Sequence, residues 1–162
     1  MPALLEGFVM RGFRPEDREA MHEIDFEFQR EVGFGTPERP LRHHDDIDDI
    51  QGVYLNDGGD FWVIERAGKV VAYGAVLRID DSTARLRRFR VRSDWRRHGL
   101  ATALLEEAER FCREQGYQRI TLGTTDLQEP AQALYRKHGY VEVGERWFAD
   151  WLRDIEFEKV LS

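Results

Sequence analysis

Hydrophobic positions alternate with polar ones in some segments of the chain and recur every three to four residues in others, which predicts an ordered series of strands and helices. Strands are predicted over residues 8–13, 61–66, 69–79, 84–91, 119–124, 140–147 and 153–160. Helices are predicted over residues 14–32, 45–54, 99–115 and 130–138. The order β-α-α-β-β-β-α-β-α-β-β predicts an α/β fold with a mixed sheet and helices on both of its faces.

The helix predicted over residues 99–115 has the clearest period. Leu100, Leu104 and Ala108 recur on one apolar face, and Gly116 follows as a C-terminal stop. Cys112 is the only cysteine and falls on the same face, so an internal disulfide and a cysteine-only metal cage are excluded. We expect Cys112 to be a small core residue and not a nucleophile.

The length of 162 residues predicts a single domain over residues 1–162, and a hydrophobic content of 41% is typical of a globular protein. The chain has no apolar run of membrane-spanning length and no basic-plus-apolar leader, and we expect a bacterial, cytoplasmic protein without a membrane partner. The net charge is −7, yet seven of the thirteen residues from Arg85 to Arg97 are arginine. This local basic cluster predicts one small anionic ligand and argues against nucleic-acid binding.

A loop that contains a glycine joins the strand over residues 84–91 to the helix over residues 99–115. The N-terminus of a helix carries unpaired N–H groups and the positive end of the helix dipole, so this junction predicts an anion site. Arg96 and Arg97 add permanent charge and forked donors, while Gly99 permits a close approach of the backbone. The ligand that this loop fits best is a pyrophosphate.

Two motifs resemble the signatures of the GCN5-related N-acetyltransferase (GNAT) superfamily. Residues 96–101, Arg-Arg-His-Gly-Leu-Ala, match its pattern Q/R-x-x-G-x-G/A. Residues 131–135, Ala-Gln-Ala-Leu-Tyr, match a later pattern A-x-x-L-Y, and Gly139 and Tyr140 follow as in the family. The resemblance covers residues 70–143 well. It implies the GNAT fold with a mostly antiparallel sheet of about six to seven strands, acetyl-CoA as cosubstrate, and a possible homodimer.

The resemblance also implies which residues bind the cosubstrate. In the family, the strand before the loop splays from its neighbour, so that its backbone binds the pantetheine arm, and the loop amides cradle the pyrophosphate. Gln128 replaces a common asparagine and can still bond the arm. The binding residues so implied are Phe89, Arg90, Val91, Arg96, Arg97, His98, Gly99, Leu100, Ala101, Thr102 and Gln128. The arginine side chains of the loop are left open between the pyrophosphate, the ribose 3′-phosphate and solvent.

An amine that attacks a thioester needs a donor for the oxyanion and an acid for the thiolate, but no enzyme nucleophile. The resemblance assigns the acid to Tyr135, and a backbone N–H near Val91 can polarise the acetyl carbonyl. Many relatives place a carboxylate base where this chain has Gly123. The base is therefore left open between water, an amine that arrives neutral, and the carboxylates of Asp126, Glu31 and Glu65.

The segment from His43 to Asp49 combines two histidines with four aspartates. We expect no metal there, because the adjacent histidines project apart and no pair of histidines is spaced i,i+4. In the GNAT fold this segment borders the acceptor pocket, so that an acidic patch would favour a cationic amine.

Arginines alternate along the strand before the loop, at Arg88, Arg90 and Arg92, and we expect them to form one solvated face. Three aromatic residues of the last hairpin can line the acceptor site, form a dimer contact or pack in the core. They are Trp147, Phe148 and Trp151.

Three functions remain open from the sequence. The first is direct transfer of acetyl from acetyl-CoA to a primary amine of a small molecule or a protein. The second is a CoA-binding sensor or interaction module that has lost catalysis, which Gly123 and Gln128 keep open. The third is transfer of a longer acyl group. The sequence does not name the acceptor.

Overall fold

The computed structural model describes residues 6–162 and confirms the α/β fold, with one seven-stranded sheet between helices. The strands are β1 (Phe8–Gly12), β2 (Asp60–Arg66), β3 (Lys69–Arg78), β4 (Thr83–Val91), β5 (Arg119–Thr125), β6 (Val141–Ala149) and β7 (Leu152–Val160). The helices are α1 (Arg18–Glu31), α2 (Ile50–Val53), α3 (Leu100–Gln115) and α4 (Glu129–Lys137). The strand order is β1-β2-β3-β4-β5-β7-β6, and only β4 and β5 are parallel neighbours. Within residues 6–162, no helix has both the length and the apolar composition needed to cross a membrane.

Each face of the sheet has its own hydrophobic core. Trp62 and Ile64 of β2 pack in the core that α3 and α4 cover, whereas Phe61 and Val63 pack in the core beneath α1 and α2. This is the alternation that a strand buried on both faces requires. Cys112 is 0% exposed in the first core, and burial raises the pKa of its thiol to about 12, which confirms it as a core residue.

The strands β4 and β5 pair only at their N-terminal ends. Their three register pairs run from Thr83 opposite Arg119 to Arg85 opposite Thr121. Beyond Arg85, β4 continues along β3 and β5 continues along β7, so the facing edges separate. A wedge therefore opens between the two strands, with backbone groups that are free to bind a ligand. This agrees with the splay that the family resemblance implies.

A bulge in β4 changes which face its arginines occupy. Leu86 and Phe89 both pack in the core beneath α3. Two residues lie between them, whereas a regular strand has one residue between neighbours on the same face. Arg88 takes a left-handed φ of +59°, and the register to β3 shifts at this point. The bulge carries Arg87 and Arg88 together to the α1 face. Gly74 is required opposite it, because a Cβ there would lie 2.8 Å from the ring of Phe89.

Candidate active site

The loop between β4 and α3 is held in shape by Trp95 and His98. The ring of Trp95 meets Phe8 edge-on, with 5.6 Å between the ring centroids, and Nδ1 of His98 lies 3.1 Å from the carbonyl oxygen of Trp95. Arg97 and Gly99 have left-handed backbones with φ of +65° and +76°. These two turns direct the chain into α3, and His98 contributes its side chain to the scaffold of the loop.

The backbone amides of residues 97–102 form a row of free donors. Within residues 6–162 none of these six N–H groups donates a hydrogen bond, and the first paired amide of α3 is that of Ala103, 3.0 Å from the oxygen of Gly99. Free amides at the positive end of a 16-residue helix attract an anion. The geometry suits the pyrophosphate of a nucleotide, as the sequence predicts.

The two arginines of the loop have different partners. Arg96 donates to both carboxylate oxygens of Glu31 on α1, at 2.5 and 2.6 Å, and these hydrogen bonds raise the pKa of Arg96. Arg97 has no carboxylate partner in the described part of the chain. Arg97 is thus the side chain left for a phosphate, whereas Arg96 ties the loop to α1. The two paired residues are 65 positions apart, so sequence spacing gave no sign of their contact.

A groove of about 500 Å³ occupies the wedge between β4 and β5. It brings together four of the residues that the sequence predicts for the site: Phe89, Arg90, Gln128 and Tyr135. Val91 does not line this groove, because its side chain packs against the core beneath α3. For Val91, only a role of the backbone is compatible with this position.

Tyr135 and Gln128 supply unengaged polar groups to the groove. The side chain of Tyr135 is 7% exposed, its hydroxyl has no hydrogen-bond partner within residues 6–162, and burial raises its pKa to about 12. The phenol therefore keeps its proton at neutral pH. Oε1 of Gln128 accepts hydrogen bonds from the backbone N of Thr125 and the hydroxyl of Thr124, both at 3.2 Å. The amide nitrogen of Gln128 is left to donate to a ligand.

A smaller cavity of about 210 Å³ adjoins the groove on the α1 side. The two cavities share His44, Arg90 and Gly123 in their linings, so a molecule in the smaller one reaches the groove. Apolar side chains from α1, the loop after it and the last hairpin line the smaller cavity. They are Phe28, Val32, Phe34, Phe148 and Leu152.

Aromatic contacts join the loop after α1 to the turn between β6 and β7. The ring of Phe34 meets Phe148 and Trp151 edge-on, at centroid distances of 6.0 and 5.2 Å, and the guanidinium of Arg39 lies 3.8 Å from the ring of Trp151. These contacts build the outer wall of the smaller cavity. Of the three aromatic residues that the sequence singles out, Phe148 lines both cavities, Trp151 supports the wall and Trp147 is 60% exposed.

Six arginines line the two cavities, three of them the smaller one, and among residues 6–162 Asp154 is the one carboxylate in either lining. The six arginines are Arg42, Arg85, Arg87, Arg88, Arg90 and Arg146. The side chains of Arg88 and Arg90 are only 13% and 15% exposed, and they bind Asp46 at 2.7 Å and Asp25 at 3.1 Å. The expectation of a solvated arginine face is wrong for these two, because the bulge and α1 enclose them in ion pairs.

The acidic segment before α2 does not reach the cavities. Asp46 turns inward. Burial alone would raise the pKa of its carboxyl, but hydrogen bonds from Arg88 and Tyr54 outweigh burial and lower this pKa to about 2. No residue of Asp45–Asp49 lines either cavity, and of the two histidines that precede this segment only His44 does. The acidic patch that the sequence predicts beside the acceptor pocket therefore lines neither cavity, and the charge of the acceptor stays a prediction.

Three potential metal ligands meet at the surface beside this segment. His22, His43 and Asp48 place one ligand atom each within 4.8 Å of one another. Both imidazole Nε2 atoms bind the carboxylate of Asp48, at 2.9 and 2.5 Å, and the two rings stack with centroids 4.4 Å apart. The hydrogen bond to Asp48 raises the pKa of His43. The histidines come from α1 and a distant loop, so their spacing does not reveal the set, and the expectation of no metal stays a prediction.

Asp25 binds three side chains on the α1 side of the cavities, and we expect its removal to destabilise the fold. It is 0% exposed and binds Nδ1 of His44 at 2.6 Å, Nε2 of Gln29 at 2.9 Å and Nε of Arg90 at 3.1 Å. Asp25→Ala leaves the guanidinium of Arg90, which is 15% exposed, without its carboxylate partner, which should lower the free energy of unfolding by about 3 kcal/mol in urea titrations. Asp45→Ala, at a side chain that is 97% exposed, should change it by less than about 0.5 kcal/mol. Similar losses in both variants would contradict this role.

The carboxylates that the sequence offers as bases lie outside the cavities. Each of them already has a partner. Glu31 accepts from Arg96, Glu65 accepts from Arg11, and Asp126 accepts from the backbone N of Arg153. Asp154, which sequence reasoning missed, lines both cavities. The alternation of polar and apolar residues along β7 was the signal that could have placed it on the acceptor face.

A groove lies between two splayed strands, and the strand β4 leads from it to the free amides at the start of α3; this arrangement suits an acyl-CoA. The model of the Acetyltransferase (GNAT) family matches residues 18–140. The chain belongs to this family. Human N-acetyltransferase 8 is 37% identical over 121 residues, which cover 71% of this chain and 53% of that protein. N-acetylaspartate synthetase from Danio rerio is 38% identical over 104 residues, covering 63% of this chain and 37% of the relative.

Solved structures show the same fold. An acetyltransferase from Streptococcus agalactiae superposes with a TM-score of 0.81 at 25% identity, covering 97% of this chain and 100% of that one. A putative acetyltransferase from Salmonella typhimurium, solved with acetyl-CoA, gives a TM-score of 0.77 at 18% identity and covers 97% and 95%. The chain spans about half the length of the first curated relatives it matches.

Proposed function

We propose that this chain is an N-acetyltransferase that moves the acetyl group of acetyl-CoA directly to a primary amine of a small molecule or a protein. The observation that carries the proposal is the groove lined by Tyr135, which adjoins the strand that leads to the free amides of residues 97–102. The amides and Arg97 take the pyrophosphate, and Phe89 and Gln128 flank the pantetheine arm. Family membership and the acetyl-CoA in the Salmonella neighbour support this assignment.

The residues in the groove suit direct transfer. The amine nitrogen bonds to the acetyl carbon, the carbon–sulfur bond breaks, and Tyr135 gives its hydroxyl proton to the departing sulfur. Burial keeps the phenol protonated until it is needed, and the same apolar surroundings raise the basicity of the thiolate. Cys112 is fully buried in the α3 core and lines neither cavity, so it forms no acyl-enzyme.

The acceptor that fits the smaller cavity carries a carboxylate beside an apolar group. Two of the six arginines that line the two cavities have no carboxylate partner within residues 6–162: Arg42, which lines both cavities, and Arg87, which lines only the adjoining groove. Gln29 holds the backbone of Arg42 at both its N and its O, at 2.7 and 2.8 Å. Free guanidinium groups prefer carboxylates. The relative from Danio rerio has a name that states a carboxylate-bearing product, N-acetylaspartate, which supports this choice.

Pairs of amines that differ only by one carboxylate group test this acceptor class. We expect L-phenylalanine to exceed 2-phenylethylamine, and L-aspartate to exceed β-alanine, by about 10- to 100-fold in kcat/KM. A charge-assisted hydrogen bond contributes about 1.5–3 kcal/mol, which corresponds to that range. Release of free thiol from acetyl-CoA measures the rate, and the panel also includes spermidine and a lysine peptide.

Substitutions of Arg42 and Arg87 test whether these two side chains cause the preference for a carboxylated amine. Arg42→Gln and Arg87→Gln should each reduce the advantage of the carboxylated amine, whereas Arg113→Gln on α3, which lines neither cavity, should preserve it. Higher rates with spermidine than with any carboxylated amine, or an advantage that survives both substitutions, would exclude the anionic acceptor.

The same assay separates the other functions. Acetyl-CoA binding in calorimetry without thiol release across the whole panel favours the sensor, and faster release from octanoyl-CoA favours transfer of a longer acyl group. The single domain over residues 1–162, the bacterial and cytoplasmic origin, and the homodimer stay predictions.

A further inference from the structure

In the described part of the chain, Asp154 is the one carboxylate that lines either cavity, and it lines both. Its side chain is 24% exposed, and no group within residues 6–162 donates a hydrogen bond to it. The nearest cation is Nη2 of Arg146, at 3.8 Å. By contrast, Asp25, Asp46 and Glu156 on the same side of the sheet are each bound by a guanidinium within 3.1 Å. Asp154 is therefore the carboxylate that remains free to meet an acceptor.

The position of Asp154 compensates for the glycine on β5. Asp154 lies on β7 opposite Thr125 of β5, next to the strand where the family resemblance implies a carboxylate and this chain has Gly123. A Cβ at Gly123 would lie 2.9 Å from Nη2 of Arg85 and 3.0 Å from Oε1 of Glu156. A carboxylate at Gly123 would displace this ion pair. The neighbouring strand supplies a carboxylate to the same cavities without that conflict.

Charges from several elements act on Asp154. The groups around it are Arg146 on β6, Glu156 on β7, Arg85 on β4, Asp126 after β5, and Arg42 and His44 across the cavity. Burial, together with the nearby carboxylates, raises the pKa of Asp154 against the opposing effect of the arginines. A carboxylate with a raised pKa is a better base near neutral pH than an ordinary aspartate.

We propose that Asp154 is the general base of the reaction, which rests on the proposed function above. The ammonium group of the acceptor gives one proton to the carboxylate of Asp154. The neutral nitrogen then bonds to the acetyl carbon while the carbon–sulfur bond breaks, and the sulfur takes the proton of Tyr135. The second proton of the attacking nitrogen returns to the phenolate of Tyr135, and Asp154 releases its proton to water.

The proposal is tested by the pH dependence of kcat/KM for the wild type and for Asp154→Asn. Both are measured with the amine of the panel that gives the highest turnover. In the wild type, kcat/KM should rise with pH through the pKa of Asp154 and then level off. In the variant the amine must arrive neutral, so kcat/KM should rise tenfold per pH unit up to the pKa of that amine. At pH 7 the loss should be about 100-fold or more, and the difference should shrink as the pH increases.

Two controls keep the result specific. Glu145→Gln changes a carboxylate of the same hairpin that lines neither cavity, and its pH profile should match the wild type. Calorimetry should give the same acetyl-CoA affinity for Asp154→Asn and the wild type, which shows that the variant is folded. A third arm needs no variant, because an aminooxy analogue of the acceptor is already neutral and should remove the acidic limb from the wild-type profile.

The outcomes distinguish the two proposals. An equal loss at every pH in Asp154→Asn, no loss at all, or an acidic limb that persists with the aminooxy analogue would overturn the role of Asp154. Lack of turnover by the wild type with every amine would instead overturn the proposed acetyl transfer.

Discussion

Replacing Tyr135 by phenylalanine is expected to lower kcat by about 100- to 10,000-fold while the affinity for acetyl-CoA changes little. The substitution removes one hydroxyl that lines the groove and has no protein partner within residues 6–162, so no hydrogen bond of the fold is lost. What disappears is the proton donor for the departing sulfur. Steady-state thiol release gives kcat, and calorimetry gives the affinity.

Tyr140 provides a matched control for this variant. Its ring contacts that of Tyr135, with centroids 5.8 Å apart, but its hydroxyl donates to Glu109 at 3.0 Å, away from the groove. Tyr140→Phe should therefore reduce stability more than Tyr135→Phe and reduce kcat much less. Parallel losses of kcat and affinity in Tyr135→Phe, or full activity, would remove Tyr135 from the role of the acid.

Replacing Gly99 by aspartate is expected to abolish acetyl-CoA binding. Gly99 stands among the free amides of the loop, and a Cβ there would meet no protein atom within 4 Å, so the added carboxylate extends into the space that the phosphates need. A negative charge there opposes the amides and the helix dipole that attract the anion. Calorimetry with acetyl-CoA should detect no binding at concentrations that saturate the wild type.

Gly99→Asn separates charge from backbone strain. In both variants the residue must adopt the left-handed φ of +76°. This conformation costs about 1 to 2 kcal/mol of stability for a residue with a Cβ, and less for aspartate or asparagine. Asparagine has nearly the shape of aspartate but no charge, so we expect it to retain measurable affinity. Unchanged affinity in Gly99→Asp would refute the assignment of the loop to the pyrophosphate.

Local patterns were sufficient for most of the fold. The helix predicted over residues 99–115 is found at Leu100–Gln115, and the strand predicted over residues 84–91 is found at Thr83–Val91. Apolar periodicity and the glycines at helix ends depend only on neighbouring residues, so they are visible in one sequence. The loop motif located the free amides for the same reason.

Contacts between distant segments account for what the sequence could not show. The burial of Arg88 and Arg90 follows from a bulge, which the three-residue step from Leu86 to Phe89 marks, and from ion pairs with Asp46 and Asp25, which the local pattern does not show. Asp154 reaches the cavities only because β7 inserts between β5 and β6. The engagement of Arg96 by Glu31 likewise depends on how α1 packs against the loop.

The two halves of the site differ in how they tolerate substitution. The side that we assign to the pyrophosphate consists mainly of backbone amides, which every amino acid except proline carries, so most single replacements there preserve the donors. The side that we propose for the acceptor consists of side chains from the loop after α1 and the turn between β6 and β7. Its preference for a particular amine can change one residue at a time while cosubstrate binding persists. Diversification of acceptors within one scaffold follows from this unequal division.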